Sequence, residues 1–292
     1  MYGVVTRNAP ELEWSEFDRA FFEAKDVSGR AADPEPNAVN MVSCFADNAA
    51  ARGNPELVPV DDEGNRATRE QPYFDWSYVC PTHPEYREGL LETIEDCAAV
   101  SPDVRLDDVG FPRPEYCRCD RCERLFAEWA EQRSADSSSG QGSRDGNVDD
   151  RFDWRASVIE EFVADARERV PGRLYLTLYP NPYPGHLRER TGVDPAALDE
   201  YVDEYVVPIY DMAYSTTYWL EILAQGFVDE LVTPFSIELY AVDVDPDALG
   251  KATEVAGAYA KDVLFGYDAS NARATLRRFE ADAREGERFE PE

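Results

Sequence analysis

The chain has 292 residues, 43% of them apolar, and sets 60 Asp and Glu against 29 Lys and Arg for a net charge of −31. So acidic a surface repels phosphate backbones and anionic lipid headgroups, so neither nucleic acid nor a membrane is an expected partner. The apolar share, with 16 Tyr and 14 Phe, is enough to fill a core and argues against global disorder.

The opening MYGVVTRNAP has no basic region, no apolar run of signal length and no twin arginine. No stretch reaches the ~18 apolar residues of a membrane span, and the expected location is the cytoplasm. Strands are predicted at YGVVT (2–6), AVNMVSCF (38–45) and WSYVC (76–80), followed by an amphipathic helix at EYREGLLETIEDCAAV. A fourth strand follows at DVRLDDVGF (103–111). Residues 133–150, RSADSSSGQGSRDGNVDD, are nearly free of apolar groups and predict a disordered surface insertion after it. Helix DWRASVIEEFVADARERV, strand RLYLTLY (173–179) and helix DPAALDEYV come next. Strand YVVPIYDMAY (205–214) leads to helix TTYWLEILAQGFVDEL, strand VTPFSIELY (232–240) to helix DPDALGKATEVAGAY, and DVLFGYD (262–268) is the last strand.

Alternating strands and helices, with eight strands in all, predict a single (β/α)8 TIM barrel over 1–292, a fold that needs roughly 250 residues. A doubly wound sheet would carry a glycine-rich phosphate turn after its first strand, and neither GxGxxG nor GxxxxGK[ST] occurs.

Strand parity then selects candidate site residues. In RLYLTLY, Leu174, Leu176 and Leu178 share one face while Tyr175, Thr177 and Tyr179 share the other. The same alternation sends Arg105 and Asp107 toward the lumen, and puts Ser236, Glu238 and Tyr240 on one face. Barrel sites lie at the C-terminal strand ends, and a carboxylate there is costly unless paired, hydrated or used. Asp107, Asp108, Asp211 and Glu238 meet that condition, with Arg105 an expected ion-pair partner. Paired carboxylates among aromatic rings such as Tyr179, Tyr210 and Tyr240 suit glycoside chemistry, in which one acid protonates the leaving oxygen and another attacks or activates water. Histidine mechanisms have only His83 and His186 to draw on, and no GxSxG or HExxH motif is present.

Cys117, Cys119 and Cys122 stand at C-x-C-x-x-C spacing, which suits three ligands of a tetrahedral zinc site. Cys80 is the expected fourth, with His83 as the substitute. Four protein ligands close the shell and make the metal structural, pinning the loop after strand four beside the acids. Cys44 and Cys97 are expected as buried apolar groups.

NPELVPVDDEGN (54–65), VCPTHPEYRE (79–88) and CRCDRCERLFAEW (117–129), with the acid-ended strand between them, resemble the zinc-containing β-galactosidases of glycoside hydrolase clan A and the related glycosyl hydrolase-like barrels. The resemblance implies zinc at Cys80, Cys117, Cys119 and Cys122. It also implies a nucleophile at Glu238 and an acid/base on strand four, which aligning the acids directly gives to Asp108, while the residues themselves leave Asp107 or Asp108 open. LDDVGFP is similar to the Asp-Asp motif of the hydrolase-like barrels, and Arg105-x-Asp107 to α-amylase-type strands whose Asp is the nucleophile. The acid excess, with lysine only at 25, 251 and 261, resembles proteins of salt-loving archaea.

The expected function is therefore hydrolysis of a carbohydrate glycosidic bond, by retention, with Arg105, Tyr179, Tyr210, Asp211 and Tyr240 as substrate contacts. The alternative is a catalytically silent barrel that binds carbohydrate or serves as an interaction module. The assembly state is left open, a homo-oligomer included.

Overall fold

The computed structural model describes residues 1–136 and 148–288. Eight parallel strands close into a barrel in chain order: β1 (Tyr2–Thr6), β2 (Arg19–Lys25), β3 (Val39–Ser43), β4 (Val104–Asp107), β5 (Leu174–Thr177), β6 (Glu204–Pro208), β7 (Phe235–Tyr240) and β8 (Val263–Gly266). The helices are α1 (Asn48–Gly53), α2 (Pro84–Val100), α3 (Asp120–Asp136), α4 (Val148–Arg169), α5 (His186–Thr191), α6 (Pro195–Leu198), α7 (Tyr218–Glu230), α8 (Pro246–Tyr259) and α9 (Ala269–Arg288). None of them is long and apolar enough to cross a membrane among the described residues.

The barrel is the expected one, but two of its parts lie elsewhere than the sequence pattern placed them. WSYVC is no barrel strand. Its one ladder contact is an isolated bridge between Tyr78 and Ala46, and Tyr78 packs instead with Phe74 and Tyr116 in a small core under the β3–α2 loop. The strand missing from the prediction is β2, RAFFEAK, which pairs with β1 through Gly3↔Arg19 and with β3 through Phe21↔Val39. A short 3-10 turn, Ala9–Glu13, replaces a helix between β1 and β2, so the strand-then-helix rhythm breaks there. DPAALDEYV forms only the single turn of α6, and its last residues turn into β6. The expected insertion at 133–150 begins within α3 and ends within α4, while 137–147 lie outside the described residues.

Strand alternation divides the core as expected. Leu106, Leu174 and Leu176 face the helices, against Ile159, Phe162 and Val163 of α4. Val5, Phe21, Met41, Tyr175, Val206 and Leu264 fill the lumen. At the N-terminal end Glu204, fully buried, is held by Arg19, Arg173, Lys261 and the Ser236 hydroxyl. That ion cluster, with Asp262 also pairing Arg19, plugs the bottom of the barrel and leaves the open C-terminal mouth as the place for chemistry.

Candidate active site

The mouth is built around the end of β4. Arg105 and Asp107 point into the lumen as parity requires, but Asp108 departs from the strand with φ at 51°, in the left-handed region. Side chains other than glycine rarely adopt that conformation, although aspartate tolerates it better than most. The turn brings the Asp108 carboxylate back to the same mouth as Asp107, where it accepts a hydrogen bond of 2.6 Å from the Ser43 hydroxyl at the end of β3. Its own N–H donates to Asp107 Oδ1 at 3.0 Å. Burial, and then the neighbouring Asp107 charge, push the Asp108 carboxyl up to about 8, against the opposing pull of Ser43 and Lys25. A carboxyl raised in this way keeps its proton to higher pH than an ordinary aspartate does.

Glu238 lies deeper. It is fully buried, paired with Arg105 at 2.6 Å, and accepts a hydrogen bond from the Tyr210 hydroxyl on Oε1. Arg105 also donates to Thr177 Oγ1 at 2.9 Å and sits over the Phe21 ring. The backbone of β8 leaves room for this carboxylate only because residue 266 is glycine: a Cβ there would stand 2.8 Å from Glu238 Oε1. Tyr210 spans the two levels, with its hydroxyl on Glu238 and its half-exposed ring 5.5 Å from that of Tyr240. Burial and the Glu238 charge raise the Tyr210 hydroxyl well above its ordinary value, so it remains a donor.

A third carboxylate, Glu23 on β2, is nearly buried and receives hydrogen bonds from Arg7 and from the Tyr267 hydroxyl. Its desolvation outweighs the pull of Arg7 and raises its carboxyl above the usual range. Glu23, Arg7, Ser43 and Trp76 were not among the candidates read from the sequence. Glu23 sits on the strand whose charged residues and missing helix concealed it, and Trp76 was assigned to a strand rather than to the rim.

Two cavities open on this mouth. One, of about 690 Å³, reaches toward β1, β2 and β8 and is lined by Arg7, Glu11, Glu23, Tyr240 and Tyr267. The other, of about 480 Å³, runs toward the β3–α2, β4–α3 and β5–α5 loops and is lined by Tyr73, Phe74, Tyr78, Phe111 and Tyr179. They share Trp76, Asp107, Asp108, Thr177, Pro208 and Tyr210. The mouth thus gathers Asp107, Asp108, Arg105, Tyr179, Tyr210 and Tyr240, while Glu238 lies beneath the lining. Asp211 lines neither cavity. Its exposed carboxylate accepts the N–H groups of Ala213 and Tyr214 and shapes the turn after β6.

The four cysteines do come together. The Sγ atoms of Cys80, Cys117, Cys119 and Cys122 all lie within 4.8 Å of one another, and Cys80 and Cys122 are 3.4 Å apart. Tetrahedral zinc with Zn–S near 2.3 Å places its sulfurs about 3.8 Å apart, so this donor set could hold a metal ion with little movement. His83 stands aside, its Nε2 3.2 Å from the Glu56 carbonyl oxygen. Cys44 and Cys97 are buried, as expected.

No family model matches the chain, and no curated protein matches it in sequence. Solved structures do share its fold. The glycoside hydrolase domain of PgaB (BpsB) from Bordetella bronchiseptica is 12% identical with a TM-score of 0.66, over 93% of this chain and 94% of that one. α-L-Fucosidase isoenzyme 2 from Paenibacillus thiaminolyticus is 13% identical with a TM-score of 0.59, over 91% of this chain but 43% of the fucosidase. A chitinase from Chromobacterium violaceum is 10% identical with a TM-score of 0.51, over 94% and 98%. None of these three is a zinc-containing β-galactosidase by name, and at such identities the likeness establishes the barrel alone.

Proposed function

We propose that this barrel hydrolyses a glycosidic bond, with Asp108 as the proton donor. The observation that carries the reading is the left-handed turn at Asp108, which sets a carboxyl of raised proton affinity beside Asp107 in a cavity rimmed by aromatic rings. Local strain of this kind, kept at a cavity mouth, suits a site where geometry serves chemistry. Asp108 gives its proton to the departing oxygen as the glycosidic C–O bond breaks, and the Asp107 carboxylate offsets the positive charge that builds on the anomeric carbon. The ionised Asp108 then takes a proton from the water that attacks that carbon. Entry of water from the side of the departed group retains the configuration.

Glu238 receives a different part from the expected one. Sealed below the lining by Arg105 and Tyr210, it acts as a positioning residue that orients the Tyr210 ring and neutralises Arg105. Zinc at Cys80, Cys117, Cys119 and Cys122 is part of the same reading, supported by a closed shell of four thiols. It would tie the β3–α2 loop to the β4–α3 loop, and so fix the aromatic wall of the smaller cavity.

The buried Glu238 also favours a second reading, a barrel that binds sugars without cleaving them. Hydrolysis of an aryl glycoside panel separates the two. An enzyme loses turnover by about 100-fold or more in Asp108→Asn, whereas a folded, metal-loaded chain inert toward every glycoside supports the binding barrel.

A further inference from the structure

Asp107 and Asp108 stand where two cavities meet rather than at the blind end of one. Each cavity falls within the 300–1,000 Å³ or so typical of a small-molecule site. Both walls combine aromatic rings with charged groups. The larger sets Arg7, Glu11 and Glu23 beside Tyr240 and Tyr267, and the smaller sets Tyr73, Phe74, Tyr78 and Tyr179 beside Arg190. Flat rings of this sort offer faces for the apolar side of a sugar ring, and Tyr179 is 43% exposed.

The aromatic wall is also braced. Arg155, fully buried on α4, donates to the carbonyl oxygens of Arg113 and Pro114 in the β4–α3 loop, at 2.9 and 3.3 Å, and of Glu189 and Arg190 at the end of α5, at 3.0 and 2.8 Å. One guanidinium thus joins the two segments that carry Phe111 and Arg190, and the Arg190 side chain in turn lies 4.1 Å over the Tyr179 ring.

From the position of the acids between two formed cavities, we infer that the cleft takes a glycan chain lengthwise, with sugar units on both sides of the Asp107–Asp108 pair, and cuts inside the chain rather than at its end. The cutting half of the inference rests on the glycosidase reading, while the two-sided binding does not. Tyr179 then sets preference for chain length, by stacking on a unit at least one position away from the bond broken.

Calorimetry of the Asp108→Asn variant with gluco-, chito-, manno- and galacto-oligosaccharides of one to six units tests the binding. Affinity is expected to climb with length beyond two units in at least one series. Tyr179→Ala in the same background is expected to weaken the longer members about five- to tenfold. Polymers of that series, given to the wild-type chain, are expected to lose viscosity well before reducing ends accumulate. Affinity flat with length in all series, or release of monosaccharides alone from chain ends, overturns the inference even if aryl glycosides are cleaved. Affinity that climbs with length while no glycoside of any kind is cleaved upholds the two-sided site and defeats the glycosidase reading instead.

Discussion

Arg105 on β4 and Glu238 on β7 meet at 2.6 Å across the lumen, and neither side chain reaches solvent. Removing one partner of a buried pair leaves the other charge uncompensated, which costs about 3–5 kcal/mol, whereas replacing both with apolar groups costs much less. Arg105→Met and Glu238→Met should each lower unfolding free energy by roughly that amount, and the double variant by clearly less than their sum. Denaturant titration of the cycle measures this. Additive losses would show that the two groups do not depend on one another.

Gly266 gives a test that leaves both charges in place. An added methyl there meets Glu238 Oε1 at 2.8 Å, and the carboxylate has no room to yield because Arg105 and Tyr210 hold it. Gly266→Ala should therefore destabilise by about 1–3 kcal/mol, as overpacking does, and lower activity as Tyr210 shifts. Gly257 is the control: it lies within α8, and the nearest atom to an added Cβ is 3.8 Å away. Gly257→Ala should be neutral or stabilising by up to about 1 kcal/mol. Equal losses at the two positions would count against a pinned Glu238.

Asp108 predicts opposite effects on stability and activity. Its carboxyl is raised to about 8 in the fold, so between the ordinary aspartate range and that value the folded chain keeps a proton that the unfolded chain has released. Stability contributed by the protonated group is full below the unfolded value and declines as pH rises toward 8. Asp108→Asn should remove that decline and be more stable than the wild type at pH 9, by on the order of a few kcal/mol. It should also be inactive, while wild-type turnover falls as pH rises through about 8. Urea midpoints at pH 5 and 9, set beside a pH–rate profile, check both parts. A variant that is no more stable than the wild type at pH 9 would sink the assignment.

Much of this was legible in the sequence because strand alternation and barrel topology are local patterns with a global consequence. Val104 and Leu106 against Arg105 and Asp107 already separate the helix-facing side from the lumen, and spacing gives Cys117, Cys119 and Cys122, whereas Cys80 joins them from a loop and not from the neighbouring strand that WSYVC suggests. What was hidden depended on chain reversals that carry no periodic signal. The 3-10 turn before β2 breaks the strand–helix rhythm and hides Glu23 with its strand. WSYVC looks like a strand because its apolar residues are needed for the small core under the loop and for the cysteine cluster. No sequence rule announces that Asp108 turns left-handed, or that Glu238 is sealed by Arg105 from β4 and Tyr210 from the loop after β6. Both follow from the closed barrel.

The cysteine cluster supplies the last prediction. As purified, the protein should contain one zinc per chain, and the cobalt-substituted form should show the thiolate charge-transfer and d–d bands of a tetrahedral site with four sulfurs. Cys80→Ser or Cys119→Ser should lose the metal, while Cys97→Ser, whose thiol lies on α2 outside the cluster, should keep it. Because Cys80 belongs to the β3–α2 loop and the other three to the segment after β4, metal loss should loosen the wall that carries Tyr73, Phe74 and Tyr78 before it touches the Arg105–Glu238 pair. Hydrogen exchange with and without chelator should show protection lost first over 54–83 and 109–122. A uniform loss across all eight strands would mean that the metal holds the whole barrel rather than one wall of its mouth.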